Sequence, residues 1–342
     1  MSESRKFIHA DVAQRPFRVG ADLGGTSIKV GVVDALGGVL SCLSVPTHVE
    51  QGPAAGAKRI AAAVDEAVSR AGLTTQDIEA IGLGCPGGID ASAGALLFPV
   101  NLPGWGGFRL REVVAQRCQL PVKLFNDAAA AAYGEFWVGT AEAFASMVLL
   151  TLGTGVGGGA IIDGKLIDGD HGAGTELGHI IIDYNDSARL CSCGQRGHLE
   201  AYASASAVVR RAEEALAAGE PSSLADRLAA GETLTARLIA VEAERGDDVS
   251  LTLMLETAKF LGIGVVSILH ALDPSIVVLG GAMTFGGPTS QLGRRFLERI
   301  RQEVLQRALP PVTTTPVEFA SLGAEAGFIG AAGLARDINA EC

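Results

Sequence analysis

Small, polar and apolar residues alternate from Arg18 to Asp34, RVGADLGGTSIKVGVVD, and the alternation breaks at Gly24-Gly25. Period-two patterning on both sides of a glycine pair predicts strand, tight turn, strand. The same pattern returns 129 residues later in Met147 to Asp163, MVLLTLGTGVGGGAIID. Leu23 and Gly24 align with Leu152 and Gly153, and Val32-Val33-Asp34 align with Ile161-Ile162-Asp163. Two copies are too few for a solenoid and point to a duplicated domain, each half opening on a glycine-rich β-turn-β unit.

Between and after these units the periodicity alternates between strand and helix. Val39 to Val45 reads as a third strand. Pro53 to Ala71 places Ile60, Val64, Ala67 and Val68 at helical spacing and stops at Gly72. Ile78 to Leu83 is a short apolar strand leading into GCPGGID, where Pro-Gly-Gly is a break. Asn101 to Trp105 (NLPGW) reads as a loop. Pro121 to Phe125 is a strand that delivers Asn126-Asp127, and an alanine-rich helix follows from Ala128 to about Phe136. In the second half, Ser204 to Ala218 reads as an amphipathic helix and Leu251 to Leu272 as a long apolar one, broken by Asp273-Pro274. Ser275 to Leu279 reads as a buried strand ending at Gly280-Gly281, and Gly323 to Ala335 as a glycine-interrupted final helix. Strands followed by helices indicate an α/β sheet, whose ligands sit beyond the carboxyl ends of the strands. Residues 1–17 read as a flexible or loosely attached lead.

The 342 residues, 48% of them apolar, suffice for two packed domains. A formal charge of −11 argues against nucleic acid or an anionic membrane as partner, but not against a magnesium-bound nucleotide at a local site. No uninterrupted apolar run reaches the ~18 residues of a membrane span, and the N-terminus has no apolar core of a secretory signal. A cytoplasmic protein is therefore expected. Cys42, Cys85, Cys118 and Cys342 are scattered and read as inert. Cys191 and Cys193 stand at CxC spacing, which in a reducing compartment points to metal.

Glycine turns of this kind expose consecutive backbone N–H groups to an anion. One alone is ordinary hairpin chemistry. Two in matched positions point to a shared polyphosphate. Neither is a Walker sequence or a Rossmann fingerprint, because both turns return to strands. Asp127 before a helix has a bland reading as a cap, and a sharper one as a carboxylate able to accept a hydroxyl proton. Residues 171–200, HGAGTELGHIIIDYNDSARLCSCGQRGHLE, bring His179, Cys191, Cys193 and His198 into a Cys₂His₂ set at zinc-like spacing. A lone histidine is more often a satisfied surface or core group. Four such groups within this span favour a metal, and with all four positions filled by protein the zinc is structural. Glu176 and Glu200, tied to such a loop, read as positioned acceptors.

DLGGTSIK at 22–29, CPGG at 85–88, FNDAAAAAYGE at 125–135, LGTGVGGG at 152–159, ELGH at 176–179, CSCGQRGHLE at 191–200 and LGG at 279–281 together resemble the ROK family of sugar kinases. The resemblance runs from about Val19 to the final helix. It implies the α/β actin-like ATPase (ribonuclease H-like) fold, duplicated, with two domains and the active site in the cleft between them. The expected division is a small domain of 18–125 plus 323–342 and a large domain of 126–322 that carries the zinc loop 171–200. The implied activity is transfer of the γ-phosphoryl group of ATP to the 6-hydroxyl of glucose, with Mg²⁺ and a structural Zn²⁺, in a homodimer. By resemblance Asp127 is the catalytic base, and Asn101, Asn126, Glu176, His179 and Glu200 bind the sugar, with Gly87 touching it through its backbone. Asp22, Gly24, Gly25, Thr26 and Lys29, with Gly153, Thr154 and Gly155, match the phosphate turns, and Gly280 and Gly281 match the nucleoside pocket. Asp22 would face the magnesium through water. His179 would place one ring nitrogen on zinc and the other toward the sugar. One departure is that His198 stands where the family usually has a third cysteine.

N-acetylmannosamine, N-acetylglucosamine and fructose remain alternative acceptors, and polyphosphate an alternative donor. Some family members are sugar-sensing transcriptional regulators with a DNA-binding segment before the first turn. Here only about twenty residues precede Asp22.

Overall fold

The computed structural model describes residues 7–337 apart from Ala91 and Val100. Its contacts divide the chain into two compact units. The first runs to Ala143 and includes 159–175 and the chain from Ser321 onward. The second holds 144–158 and 176–320.

In chain order the first unit contains β1 (Phe17–Leu23), β2 (Ser27–Val33), β3 (Val39–Pro46), helix α1 (Gly52–Arg70) and β4 (Ile78–Cys85). It continues with the short pair β5 (Ile89–Asp90) and β6 (Ala95–Leu96), helix α2 (Leu110–Cys118), β7 (Val122–Asn126) and α3 (Asp127–Val138). Its sheet has the order β3-β2-β1-β4-β7. β1, β2 and β3 are antiparallel neighbours, whereas β4 runs parallel to β1 and β7 parallel to β4. The alternation read in the sequence places Val19, Ala21, Leu23, Ile28 and Val30 in the core, against Ile60, Val64 and Ala67 of α1.

The second stretch gives β8 (Met147–Leu152), β9 (Val156–Ile162) and β10 (Lys165–Leu166), and then, past the metal-type loop, α4 (Glu200–Ala203), α5 (Ala205–Ala217), α6 (Ser223–Ala229), α7 (Ala236–Glu244) and α8 (Asp248–Leu272). It closes with β11 (Ile276–Gly280), α9 (Gln291–Arg307) and β12 (Val317–Phe319), before α10 (Ala326–Leu334) returns to the first unit. The second sheet has the order β10-β9-β8-β11-β12, with β11 parallel to β8 and β12 parallel to β11. Position for position this repeats the first sheet. The duplication seen in two sequence motifs therefore extends to a whole five-stranded topology, although β12 and β10 carry no recognisable sequence echo.

Four expectations are corrected. First, residues 7–16 are not a loose lead. Ile8, Ala10 and Ala13 pack on the core, and Ile8 N–H donates to Val39 O at 3.0 Å. Gln14 N–H donates to Asp34 Oδ2 at 2.9 Å, and Arg15 pairs with Asp77 at 2.6 Å. Met1 to Lys6 lie outside the described residues, as does Cys342. Second, the first unit does not end at 125. α3 lies against α10 so closely that a β-carbon on Gly330 would sit 1.7 Å from Ala130 O. The glycine-interrupted helix thus reports a backbone-to-backbone crossing, and it holds residues 126–143 in the first unit. Third, the loop at 171–200 is split between the units at Thr175. Fourth, α8 is long and apolar enough to cross a membrane by length and composition. Reading only uninterrupted apolar runs overlooked it. It packs on α5, α7 and α9 in the second unit, burying Met254, Leu261, Val265 and Leu269.

Helix α9 was not read from the sequence, yet Leu292, Phe296, Ile300 and Val304 recur every four residues and are all buried. Burial pushes the Cys118 thiol up to about 11 and the Cys85 thiol well above the ordinary range.

Glu135, the last residue of the FNDAAAAAYGE motif, is fully buried. Its carboxylate accepts from Thr140 N–H (2.9 Å), Leu322 N–H (2.7 Å) and both Ser321 N–H and Oγ (3.2 Å each). It ties the end of α3 to the approach of α10. Glu135→Gln is expected to lower stability by about 2 kcal/mol, because an amide group would face donors and lose charge-assisted bonds. A thermal melt reads this directly.

Candidate functional site

In the first unit the glycine turn between β1 and β2 is closed by Gly24 N–H donating to Ser27 O at 3.0 Å. It is braced from outside by Thr47, whose Oγ1 donates to Gly24 O at 2.6 Å and whose N–H donates to Thr26 O at 2.9 Å. Arg59 in turn donates to Thr47 O. The Gly25 and Thr26 amides make no hydrogen bond among the described residues, so the turn presents donors as expected. Asn101 packs over the turn, its carbonyl 2.9 Å from where a β-carbon of Gly25 would stand.

Asp22 and Lys29 are cross-strand partners in β1 and β2. Burial raises the Asp22 carboxyl above its ordinary value, and Lys29 opposes the rise. A carboxylate that is harder to ionise when folded weakens the fold at neutral pH. The unfolded chain ionises first as pH rises through about 3.9, and the penalty is complete only above the raised folded value. Asp22→Asn is therefore expected to raise the melting temperature at pH 7, to leave it unchanged below about pH 3.5, and to weaken magnesium-nucleotide binding. Melts at both pH values check it.

At the end of β7 the cap belongs to Asn126, whose Oδ1 accepts from Ala129 N–H at 3.0 Å. Asn126 Nδ2 donates to Gly87 O at 3.2 Å, which fixes the CPGG turn. Gly87 itself has φ +80, a conformation that favours glycine. With the cap role taken by its neighbour, Asp127 is the first helical residue of α3, and one of its oxygens accepts from Ala128 N–H at 2.8 Å. Asp22, Gly87, Asn126 and Asp127 thus stand at or just past the carboxyl ends of β1, β4 and β7, where α/β sheets place ligands.

The second unit carries the matching turn. Gly153 N–H donates to Gly155 O at 3.0 Å, and the Thr154 and Gly155 amides have no partner among the described residues. Gly280 ends β11, and Met283 N–H just past Gly281 donates to Leu152 O at 3.0 Å, which sets the LGG segment beside the end of β8. Glu200 Oε2 accepts from Val156 N–H at 3.0 Å, and a β-carbon on Gly155 would stand 2.3 Å from that oxygen. A residue other than glycine at 155 would displace the carboxylate.

His179, Cys191, Cys193 and His198 converge, with one ligand atom from each lying within 4.8 Å of all the others. His179 Nδ1 lies 3.2 Å from His198 Nδ1 and 3.7 Å from Cys191 Sγ, and Cys193 Sγ lies 3.2 Å from His198 Nδ1. A tetrahedral zinc with Zn–N ~2.0–2.1 Å and Zn–S ~2.3 Å needs N–N separations of about 3.3 Å and N–S separations of about 3.6 Å. The four residues fit that ion. Burial pushes the Cys191 thiol up to about 11, so its thiolate form needs a cation beside it. Burial and the adjacent His179 lower His198, which keeps it a neutral ligand. The His179 Nε2 edge faces Glu176 Oε2 at 4.0 Å, too long for a direct hydrogen bond. The loop is held by Tyr202, whose hydroxyl donates to Asp183 Oδ2 at 2.6 Å and accepts from Arg189 N–H at 2.9 Å.

A ROK family profile matches residues 18–338. The chain belongs to the ROK family. Over 319 residues it is 35% identical to a glucokinase of Halalkalibacterium halodurans, covering 93% of this chain and 94% of that one. Over 326 residues it is 36% identical to a glucokinase of Streptomyces coelicolor, covering 93% and 97%. Among solved structures, a ROK family glucokinase from Streptomyces griseus in complex with glucose and AMPPNP superposes with a TM-score of 0.77 at 35% identity, covering 94% and 99%. The actin-like ATPase fold expected for this ROK protein is the fold of these neighbours.

Sequence reasoning missed Thr47, Ser192, Tyr202 and Ser206, which brace the turns and the loop. Thr47, Tyr202 and Ser206 each contact a residue remote in the chain and sit in no motif, whereas Ser192, enclosed by the CxC pair and eight residues from Glu200, carried a local signal.

Proposed function

We propose that this chain is an ATP-dependent glucokinase, transferring the γ-phosphoryl group to the 6-hydroxyl of glucose. The observation that carries the proposal is that two amide-lined turns occupy the same position in two sheets of identical strand order. One of those sheets also leads into a helix-start carboxylate, Asp127, which follows the capping residue Asn126. Glucokinases aligned over nearly their whole length support the same reading.

Phosphoryl transfer has a loose transition state, so positioning and charge stabilisation carry most of the rate. The free amides at Gly25, Thr26, Thr154 and Gly155 act as fixed donors to phosphate oxygens, and magnesium supplies further positive charge when bound. Asp22 would face that ion. Asp127 takes the proton from the attacking hydroxyl. Asn101, Asn126, Glu176, His179 and Glu200 hold the sugar, with Gly87 contributing its backbone. His179, Cys191, Cys193 and His198 would hold a zinc ion, and their convergence would tie the His179 and Glu200 segments together. The proposal extends to a cytoplasmic homodimer.

A coupled assay over glucose, fructose, N-acetylmannosamine and N-acetylglucosamine, with ATP and with polyphosphate, tests the reaction. Elemental analysis for zinc accompanies it. Highest kcat/KM for glucose with ATP is the expected result. No turnover of any hexose would overturn the proposal, and preference for another acceptor would reassign the sugar.

A further inference from the structure

Gly153, Thr154 and Val156 of the second phosphate turn are held by the segment that carries the metal-type ligands. Val156 N–H donates to Glu200 Oε2 at 3.0 Å. Ala205 N–H donates to Gly153 O at 2.9 Å, and Ser206 Oγ donates to Thr154 O at 3.0 Å. From the other side, a β-carbon on Gly178 would lie 1.9 Å from Val156 O, so the ELGH turn rests directly on the same residue. Glu200 is the member of this clasp that reaches both ways. Its second oxygen, Oε1, accepts from Ser192 Oγ and lies 3.5 Å from Cys191 Sγ.

That second oxygen has a physical difficulty. When Cys191 ligates a cation it is a thiolate, and a carboxylate oxygen beside a thiolate is repelled. Ser192 lies between the two cysteines and supplies the donor that offsets the repulsion. Without it, Glu200 would rotate away from Cys191, and the Val156 bond would move with it.

We infer that Ser192 is a positioning residue that locks Glu200 into service of two ligands at once. One carboxylate then sets the phosphate turn through Val156 and meets the sugar, so sugar and nucleotide affinities are coupled through this side chain. The inference rests on the sugar role of Glu200 in the kinase reading above. It goes beyond that reading by giving Ser192 a role and linking the two substrates. Coupling of this kind is reciprocal: whatever factor glucose adds to nucleotide affinity, nucleotide adds to glucose affinity. The bland alternative is a solvent-exposed hydrogen bond that contributes only marginally to stability, and Ser192 is exposed.

The test uses the full-length, metal-loaded chain with Ser192→Ala and Ser192→Thr. Calorimetry measures the Kd of a non-hydrolysable ATP analogue with magnesium, with and without saturating glucose, and metal content is measured alongside. In Ser192→Ala the zinc content is expected to be unchanged. The nucleotide Kd in the presence of glucose should rise about 3–10-fold, on the scale of losing one ordinary solvent-exposed hydrogen bond, and the enhancement by glucose should shrink. Ser192→Thr should restore both. Three results would overturn the inference: a Kd within about 2-fold of the parent with and without glucose, an equal rise in both conditions, or loss of zinc. A change in melting temperature alone does not support it, because a structural role predicts that too. If the parent fails to phosphorylate glucose, the kinase reading falls by itself, whereas the coupling inference falls when glucose leaves the nucleotide Kd of the parent unchanged.

Discussion

Asp127→Asn is expected to bind glucose with near-parental affinity and to lose at least ~100-fold in kcat, the scale of a positioned general base. Asparagine keeps the shape, and its carbonyl oxygen can still accept from Ala128 N–H as Asp127 does at 2.8 Å. What it loses is the capacity to take a proton. The helix should survive, because α3 is capped by Asn126 through Ala129 N–H and not by Asp127. This separation makes the experiment clean. If Asp127 were itself the cap, loss of activity and loss of helix stability would arrive together. Glucose titration, a thermal melt and steady-state kinetics on one preparation check the expectation, and turnover close to the parent would remove Asp127 from its role. By contrast, Asn126→Ala should disturb the α3 cap and the Gly87 turn together.

The second large effect concerns the four-ligand loop. Cys191→Ser is expected to abolish stoichiometric zinc and to cost on the order of 5 kcal/mol, against the ~10–16 kcal/mol measured for zinc in isolated finger peptides. The smaller figure reflects a loop that is also tied by Tyr202 to Asp183 and Arg189 and by two backbone bridges within itself, Ile181 to His198 and Leu190 to Arg196. Activity should fall even where the protein remains folded, because His179 and Glu200 are oriented from this loop. Chelation should reproduce the effect and added zinc should reverse it in the parent, but not in Cys191→Ser. Cys193→Ser should behave alike, since its Sγ lies 3.2 Å from His198 Nδ1. His198→Cys is the informative control. A thiolate with Zn–S ~2.3 Å can replace the imidazole, so this variant should retain zinc. If neither cysteine variant loses metal or stability, the loop holds no structural ion.

The local elements were largely legible. β1 to β4, β7, β8, β9 and β11, and helices α1, α3, α5, α8 and α10, fall where periodicity and glycine breaks put them, within a few residues at each end. The metal-type quartet was legible too, because spacing within a short span limits how far apart its ligands can fold. Other features were not. α9 has clear spacing but no cap signal stronger than Ser290. β12 is only three residues long, so the alternation in VEF is too short to mark a strand. The lead was misread because Phe7 to Pro16 has weak periodicity. Its order comes from pairing with Val39 and Asp34, which lie far along the chain.

What the sequence determined by itself is the duplicated strand-turn-strand unit, the convergence of the histidine and cysteine side chains at 179, 191, 193 and 198, and the carboxylate that starts α3 at 127. Each rests on residue types at short range, where chain geometry leaves few alternatives. Tertiary structure alone decided that Asn126 caps α3, that α3 stays with the first unit, and that Glu200 braces the second phosphate turn. The first follows from the turn at Gly87 that receives the Asn126 amide. The second follows from a helix crossing at Gly330 too close for any side chain. The third joins Val156 to a residue 44 positions away. Such long-range hydrogen bonds and backbone contacts leave no periodic trace in the chain, because only the packed sheets and helices bring their partners within reach.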